Sequence, residues 1–235
     1  MSSSTSSKLT LAYFPIGGKA EPIRLACAAG DIAFTNKVIP PTEFTESKSS
    51  LPLGQLPVLY IENADSKKSI TQSSAILRYV GKIGGLYPKD DDVVAMKIDE
   101  ILSIIDDLVS PLILTVQGAV RALVTEDKEW TYEEKIAIRK RWSEKTLPRY
   151  LGFIDQILSA STSGWLVGDS LTIADLRLYC DLNWIIGGIL DGIPSGMLKE
   201  YPDCLKLMEN IEAHEGVKKW TDKYSKPYTT FDYAP

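Results

Sequence analysis

The chain has 235 residues, 44% hydrophobic and 24% charged, a globular composition with room for one large domain or two modest ones. Its net charge of −5 argues against bulk nucleic-acid binding, which needs a basic footprint. No apolar run nears the roughly 20 residues of a bilayer span, so no membrane insertion is expected.

The opening, MSSSTSSKLTL, lacks a charged n-region and a long apolar core. Residues 1–7 read as a disordered serine tail, and a cytoplasmic location is expected. Leu9 to Phe14 alternates and carries Tyr and Phe, the pattern of a strand. Gly17-Gly18 breaks it, and Ala20 to Ala29 reads as a helix ended by Gly30, with Pro22 in the tolerant first turn. Phe34 to Ile39 reads as a second strand, followed by a polar loop with Pro40-Pro41. Leu56 to Glu62 and the short Lys68 to Ile70 are the third and fourth strands, joined by a turn over Asn63 to Ser66. Gln72 to Lys82 is helical, with Ile76, Leu77 and Val80 as its apolar stripe.

This βαβ–ββα order predicts an α/β, thioredoxin-like domain with a mixed four-stranded sheet over residues 8–84. Gly84 to Pro88 opens a linker, set at 85–91. From about Asp92 the period becomes helical. Val93, Met96, Ile98, Ile101, Leu102, Ile105, Leu108 and Val109 form one pattern, Tyr132 to Leu158 a second, and Thr172 to Ile186 a third. Residues 92–235 therefore read as an all-α domain. Residues 1–85 hold nine Lys/Arg against six Asp/Glu (+3), and the rest 17 against 25 (−8). That asymmetry suits a small anionic ligand in the first part.

Cys27, Cys180 and Cys204 form no CxxC pair, as in a reducing compartment. His214, the single histidine, leaves little room for a His-based zinc site or a Ser-His-Asp triad, and reads as a surface residue in a polar helical segment. Thr172-Ile173-Ala174-Asp175 is an N-capping pattern.

Leu9 to Arg24, with Tyr13, Gly18, Lys19, Glu21 and Pro22, resembles the opening of glutathione transferases of the sigma, alpha, mu and pi kind, sigma above all. The resemblance continues through Leu51 to Leu59, Gln72 to Tyr79 and Gly168 to Asp175. It implies transfer of glutathione's sulfur to hydrophobic electrophiles, with glutathione as co-substrate and neither a metal nor a tightly held cofactor. It also implies a homodimer. A prostaglandin D synthase-like isomerase and a non-enzymatic, S-crystallin-like ligand-binding member are the alternatives. A thioredoxin-like redox enzyme is set aside, because Cys27 comes too late for the end of strand 1.

A free thiol has a pKa near 8.5, so a catalyst must favour its anion. The resemblance gives that task to the Tyr13 hydroxyl, as a neutral hydrogen-bond donor. It makes Gln55-Leu56-Pro57 a loop with a cis proline, where the Leu56 backbone pairs with the cysteinyl backbone of glutathione. Gln72-Ser73 would take the γ-glutamyl carboxylate at a helix start, although a plain N-cap by Thr71 or Ser73 has the same sequence. Lys48 and Phe44 match the family's Lys and Trp at the glycyl end. Phe44 departs from the pattern by lacking the indole N–H, and Lys19 stands where an Arg is usual. Asp106 or Asp107 of a partner subunit would reach the amino group, and Ile16, Leu112, Leu114 and Gly118 are expected to line the second-substrate pocket.

Overall fold

The computed structural model describes residues 7–116 and 130–224. Residues 1–6 of the expected tail and Gly118 lie outside the described residues. The chain forms two compact units, Met1–Asp90 with Glu212–Pro235, and Asp91–Ile211.

The first unit is built on strands β1 (Lys8–Tyr13), β2 (Thr35–Val38), β3 (Val58–Glu62) and β4 (Lys67–Thr71). Their order is β2-β1-β3-β4, with β1 parallel to β2 and antiparallel to β3, and β3 antiparallel to β4. This is the expected mixed sheet. Asn63 makes the β3–β4 turn by accepting at its side-chain oxygen from the N–H groups of Asp65 and Ser66.

Helix α1 (Glu21–Ala29) is buried from Glu21 through Cys27. Pro40 and Pro41 do not lead into a plain loop: Pro41–Ser47 is a helix, α2. Pro41 fits its first turn, where no N–H is needed. The helix buries no residue, so the sequence carries no apolar stripe to announce it. Helix α3 (Ser73–Gly84) has Gln72 as its N-cap, at φ 70°, and no side chain caps it. The capping by Thr71 or Ser73 that the sequence allows is therefore not made.

In the second unit, α4 (Asp92–Ile113) buries Ile98, Ile101, Leu102, Ile105, Leu108, Val109 and Leu112 along one face. Each contributes about 2 kcal/mol by leaving water, and packing rather than surface pairing decides this helix. Asp91 caps it through the N–H groups of Val93 and Val94. Helix α5 (Tyr132–Ala160) starts at a Thr131–Glu134 capping box, and its Trp142 donates from the indole to the Leu108 carbonyl of α4 at 2.9 Å. Helix α6 (Ile173–Ile186) has the anticipated Thr172–Asp175 capping box. Helix α7 (Pro202–Ala213) is capped from a distance: Asp155 of α5 accepts from the N–H groups of Asp203 and Cys204, both at 3.2 Å.

The last described helix, α8 (Glu215–Lys223), packs on α1 in the first unit, where the sequence reading places residues 92–235 in one helical unit. Val217 is fully buried, and Gly216 passes so close to α1 that a Cβ there would lie 2.2 Å from the Ala28 carbonyl oxygen. His214 is the N-cap of α8 and is half-buried rather than a free surface residue. Among the described residues no helix is long and apolar enough to cross a membrane.

Candidate functional site

The sheet register brings the proposed ligand-binding segments to one end. Val58 lies opposite Ala12 of β1 and opposite Thr71 of β4, while Tyr13 lies opposite Val38 of β2. Tyr13 therefore ends β1, Leu56-Pro57 precedes β3, and Gln72-Ser73 follows β4, all at the same end of the sheet. From β1 to β4 is two strand spacings, about 10 Å, the reach of an extended tripeptide at roughly 3.3 Å per residue.

At this end Tyr13 is buried, and its hydroxyl oxygen accepts the backbone N–H of Lys19 at 3.2 Å. The turn that delivers this N–H runs through Gly18 at φ 45°, where a Cβ would sit 2.8 Å from the Tyr13 hydroxyl oxygen. Only glycine fits that approach. Burial raises the Tyr13 pKa, the largest effect, against the opposing Lys19 hydrogen bond and Arg24 charge. The phenol stays protonated at neutral pH. Because its oxygen takes the Lys19 N–H, its own hydrogen is available to donate outward.

The Leu56–Pro57 bond is cis. Pro57 is buried and Leu56 half-buried, and the Leu56 N–H and C=O enter no hydrogen bond among the described residues. Gln55 is exposed beside them, with its N–H on the Pro52 carbonyl at 3.4 Å. At the start of α3 the first intrahelical bond runs from Ile76 N–H to the Gln72 carbonyl. The uncapped N–H groups before it form the positive end of the helix, an arrangement that suits a carboxylate.

Residues 9–82 match the family description "Glutathione S-transferase, N-terminal domain", and residues 119–224 match "Glutathione S-transferase, C-terminal domain". Glutathione S-transferase 2 of Caenorhabditis elegans is 32% identical over 176 residues, 75% of this chain and 87% of that protein. The chain belongs to the glutathione S-transferase family. S-crystallin SL11 of Nototodarus sloanii is 27% identical over 220 residues, 91% of this chain and 95% of its own. A solved sigma class GST of Fasciola hepatica superposes with a TM-score of 0.79 over 94% of this chain and 99% of that one; at 21% identity the likeness is one of fold.

Within this glutathione S-transferase, Phe44 sits on α2 and meets Phe14 edge-to-face at 5.0 Å. Phe14 in turn meets Tyr13 at 5.3 Å. Phe44 thus extends an aromatic row from the tyrosine, by packing alone. Lys48 follows α2 and is exposed, with its side chain running past Gly54. The Lys19 side chain is exposed, so what this residue brings to Tyr13 is its backbone N–H. The cation over the tyrosine ring is Arg24, whose guanidinium carbon lies 5.8 Å from the ring centroid.

In the helical unit of the transferase, Asp106 is held by Arg177 at 2.9 Å, and that Arg also pairs with Asp181. Asp107 is exposed and makes no ion pair among the described residues. Leu112 is fully buried in the core of its unit, whereas Ile16 and Leu114 are half-buried. The expected pocket role for Leu112 is thereby replaced by packing.

Beyond the chain break at Gly17-Gly18, sequence reasoning gave no role at the site to Gly18, Glu21 or Arg24. Glu21 and Arg24 form a buried ion pair at 3.0 Å. Their signal was present, since they are the two charged residues within the apolar α1 sequence. Charges i,i+3 on an ordinary helix are surface pairs; only the burial of this one distinguishes it.

Proposed function

We propose that this transferase joins the sulfur of glutathione to a hydrophobic electrophile, with Tyr13 holding the thiol as its anion. The observation that carries the reading is the buried Tyr13 hydroxyl at the end of β1, which accepts the Lys19 N–H and whose pKa burial raises. Glutathione would lie across that end of the sheet in extended form. Its γ-glutamyl carboxylate meets the α3 N-terminus at Gln72-Ser73, and its cysteinyl backbone pairs with Leu56, framed by Gln55 and Pro57. The glycyl carboxylate reaches Lys48, with Lys19 and Phe44 on the same side. The thiol proton leaves to water, and Tyr13 donates a hydrogen bond to the resulting thiolate sulfur. Lowering a thiol pKa by about two units requires roughly 2.7 kcal/mol of preference for the anion, within the range of a charge-assisted hydrogen bond aided by a helix end. The thiolate then attacks the electrophilic carbon, a C–S bond forms, and the displaced group leaves with the bonding electron pair.

The functional unit we propose is a cytoplasmic homodimer. Leu53 supports an interface, being a leucine 71% exposed and held at φ 56° on the loop before Gln55. Since Asp106 is engaged by Arg177, Asp107 is the better placed of the two to reach glutathione's amino group from the partner subunit.

The purified protein should be retained on immobilised glutathione, sediment at twice its 26.0 kDa chain mass, and conjugate a chloronitroaromatic. Retention without turnover, even at high pH, would favour the S-crystallin-like alternative. Neither retention nor turnover would sink the reading. Gly18→Ala is expected to push the Tyr13 ring aside and place a side chain at positive φ, at about 1–2 kcal/mol of stability. Turnover with glutathione should fall about tenfold, a loss equivalent to about 1.4 kcal/mol. Thermal melting and steady-state kinetics on the same sample check both.

A further inference from the structure

The closing helix reaches back to the tyrosine turn through buried polar groups. Trp220 of α8 is flanked by the rings of Phe34, centroids 5.5 Å apart, and Tyr224, 4.3 Å apart. Its indole Nε1 donates to Oε1 of Glu21 at 3.0 Å. The other Glu21 oxygen, Oε2, accepts from the Arg24 guanidinium at 3.0 Å, and both side chains are 0% exposed. The same guanidinium donates to the Ile16 carbonyl at 2.9 Å and the Gly17 carbonyl at 3.4 Å, and its Nε donates to Asn36 of β2 at 3.0 Å. The Gly17 carbonyl also accepts the N–H groups of Ala20 at 3.2 Å and Glu21 at 3.1 Å. The turn that presents the Lys19 N–H to Tyr13 is thus fastened on one side by α1 and, through Glu21, by α8. Buried hydrogen-bonded networks of this kind transmit small displacements because their members have few alternative partners.

We infer that Trp220 is a positioning residue for thiolate formation, fixing the Ile16-Gly17 turn through Glu21 and Arg24 so that the Lys19 N–H stays on the Tyr13 hydroxyl. The inference rests on the proposed role of Tyr13. Its rival is that Trp220 only fastens α8 to α1. The two differ in what they do to the thiol. Loss of a fastener lowers stability and leaves bound glutathione to titrate as before. Loss of the positioning contact lets the Lys19 N–H drift from the hydroxyl, so the donor to sulfur weakens.

Trp220→Phe keeps a flat ring between Phe34 and Tyr224 and removes the N–H. The thiol of bound glutathione, followed by its ultraviolet thiolate absorbance, should titrate roughly half to one unit higher than in the wild type. At neutral pH kcat/KM should fall about three- to tenfold, as such a shift implies, and recover as the pH is raised. Affinity for S-methylglutathione, which has no thiol to ionise, should be unchanged. Trp220→His, which retains a ring N–H, should titrate closer to the wild type. An unchanged thiol titration in Trp220→Phe, whatever its melting temperature, overturns the inference, and so does an equal shift in the Phe and His variants. If Trp220→Phe does not fold, Glu21→Gln serves: it keeps an oxygen for the indole N–H and gives up the charge pair with Arg24. An unchanged titration there overturns the inference too. A wild-type protein that fails to bind glutathione takes down the proposed function and this inference with it. A wild type that binds, with variants that titrate identically, removes the inference alone.

Discussion

Tyr13→Phe is expected to return the thiol of bound glutathione toward its free pKa near 8.5. The ring should stay in place, held by Phe14 at 5.3 Å and under the Arg24 guanidinium at 5.8 Å, so the change amounts to one missing hydrogen-bond donor. A single preorganised donor to a developing anion is worth about 100-fold or more in rate. The expected loss of kcat/KM at about pH 6.5 is therefore about 100-fold, if the normal depression is about two units. Glutathione affinity should change by much less, since backbone groups at Leu56 and the α3 N-terminus make the remaining contacts in the proposed pose. Because burial raises the Tyr13 pKa, the phenol adds no ionisation of its own near neutrality. The wild-type pH–rate profile should consequently rise through one pKa, that of the bound thiol. Above about pH 9, where free thiol is mostly ionised, the variant should approach the wild type. Equal bound-thiol pKa values in the two proteins would remove Tyr13 from the mechanism. Such a result would leave the fold assignment untouched.

The second large effect concerns stability. Asp175 is fully buried, and its carboxylate accepts the Leu166 N–H at 2.9 Å and the Thr172 N–H and hydroxyl at 2.7 Å each. Asp175→Ala strips the acceptor from two buried N–H groups and breaks the capping box of α6. Leaving such donors unmet costs about 1–3 kcal/mol each, so the expected loss is about 3 kcal/mol in denaturant melts. Its pH dependence has a definite sign. Desolvation is the largest effect on the Asp175 pKa and pushes it up to about 6, against the pull of its hydrogen bonds. An unfolded Asp titrates near 3.9. Between those values the folded chain binds more protons than the unfolded one, so this group's contribution falls as pH rises. The stability gap between wild type and Asp175→Ala should be widest below about pH 4. It should narrow by about 2–3 kcal/mol as pH passes 6, as two pKa units imply. A gap that widens with rising pH would show that the hydrogen bonds outweigh desolvation.

Much of this was legible in the sequence because local rules suffice for it. Strand alternation around Tyr13, the α4 stripe from Ile98 to Val109 and the Thr172–Asp175 cap each involve neighbours within a few residues. The helix α2 was not legible. It is short, exposed and polar, and its prolines suit either a loop or a first turn. The relatedness of the segments at Tyr13, Gln55-Leu56-Pro57 and Gln72-Ser73 also came from the sequence, through their resemblance to a known family. Their common position at one end of the sheet came from the register of β1, β3 and β4.

Tyr13 itself divides along the same line. The sequence determined that a strand over Leu9 to Phe14, carrying Tyr13, would be followed by a glycine-containing break, and which family such a segment resembles. Only the tertiary structure decided what the hydroxyl meets. Lys19 drew notice for standing where the family usually has an Arg, yet it is the Lys19 backbone N–H that reaches the oxygen, past a glycine with no Cβ to block it. The cation over the ring is Arg24, tied through Glu21 to Trp220, which is 199 residues from Glu21 along the chain. Backbone donors carry no side-chain signature, and a buried ion pair is written in the same letters as an exposed one. Distance along the chain says nothing of distance in space, so contacts of these kinds are fixed by packing.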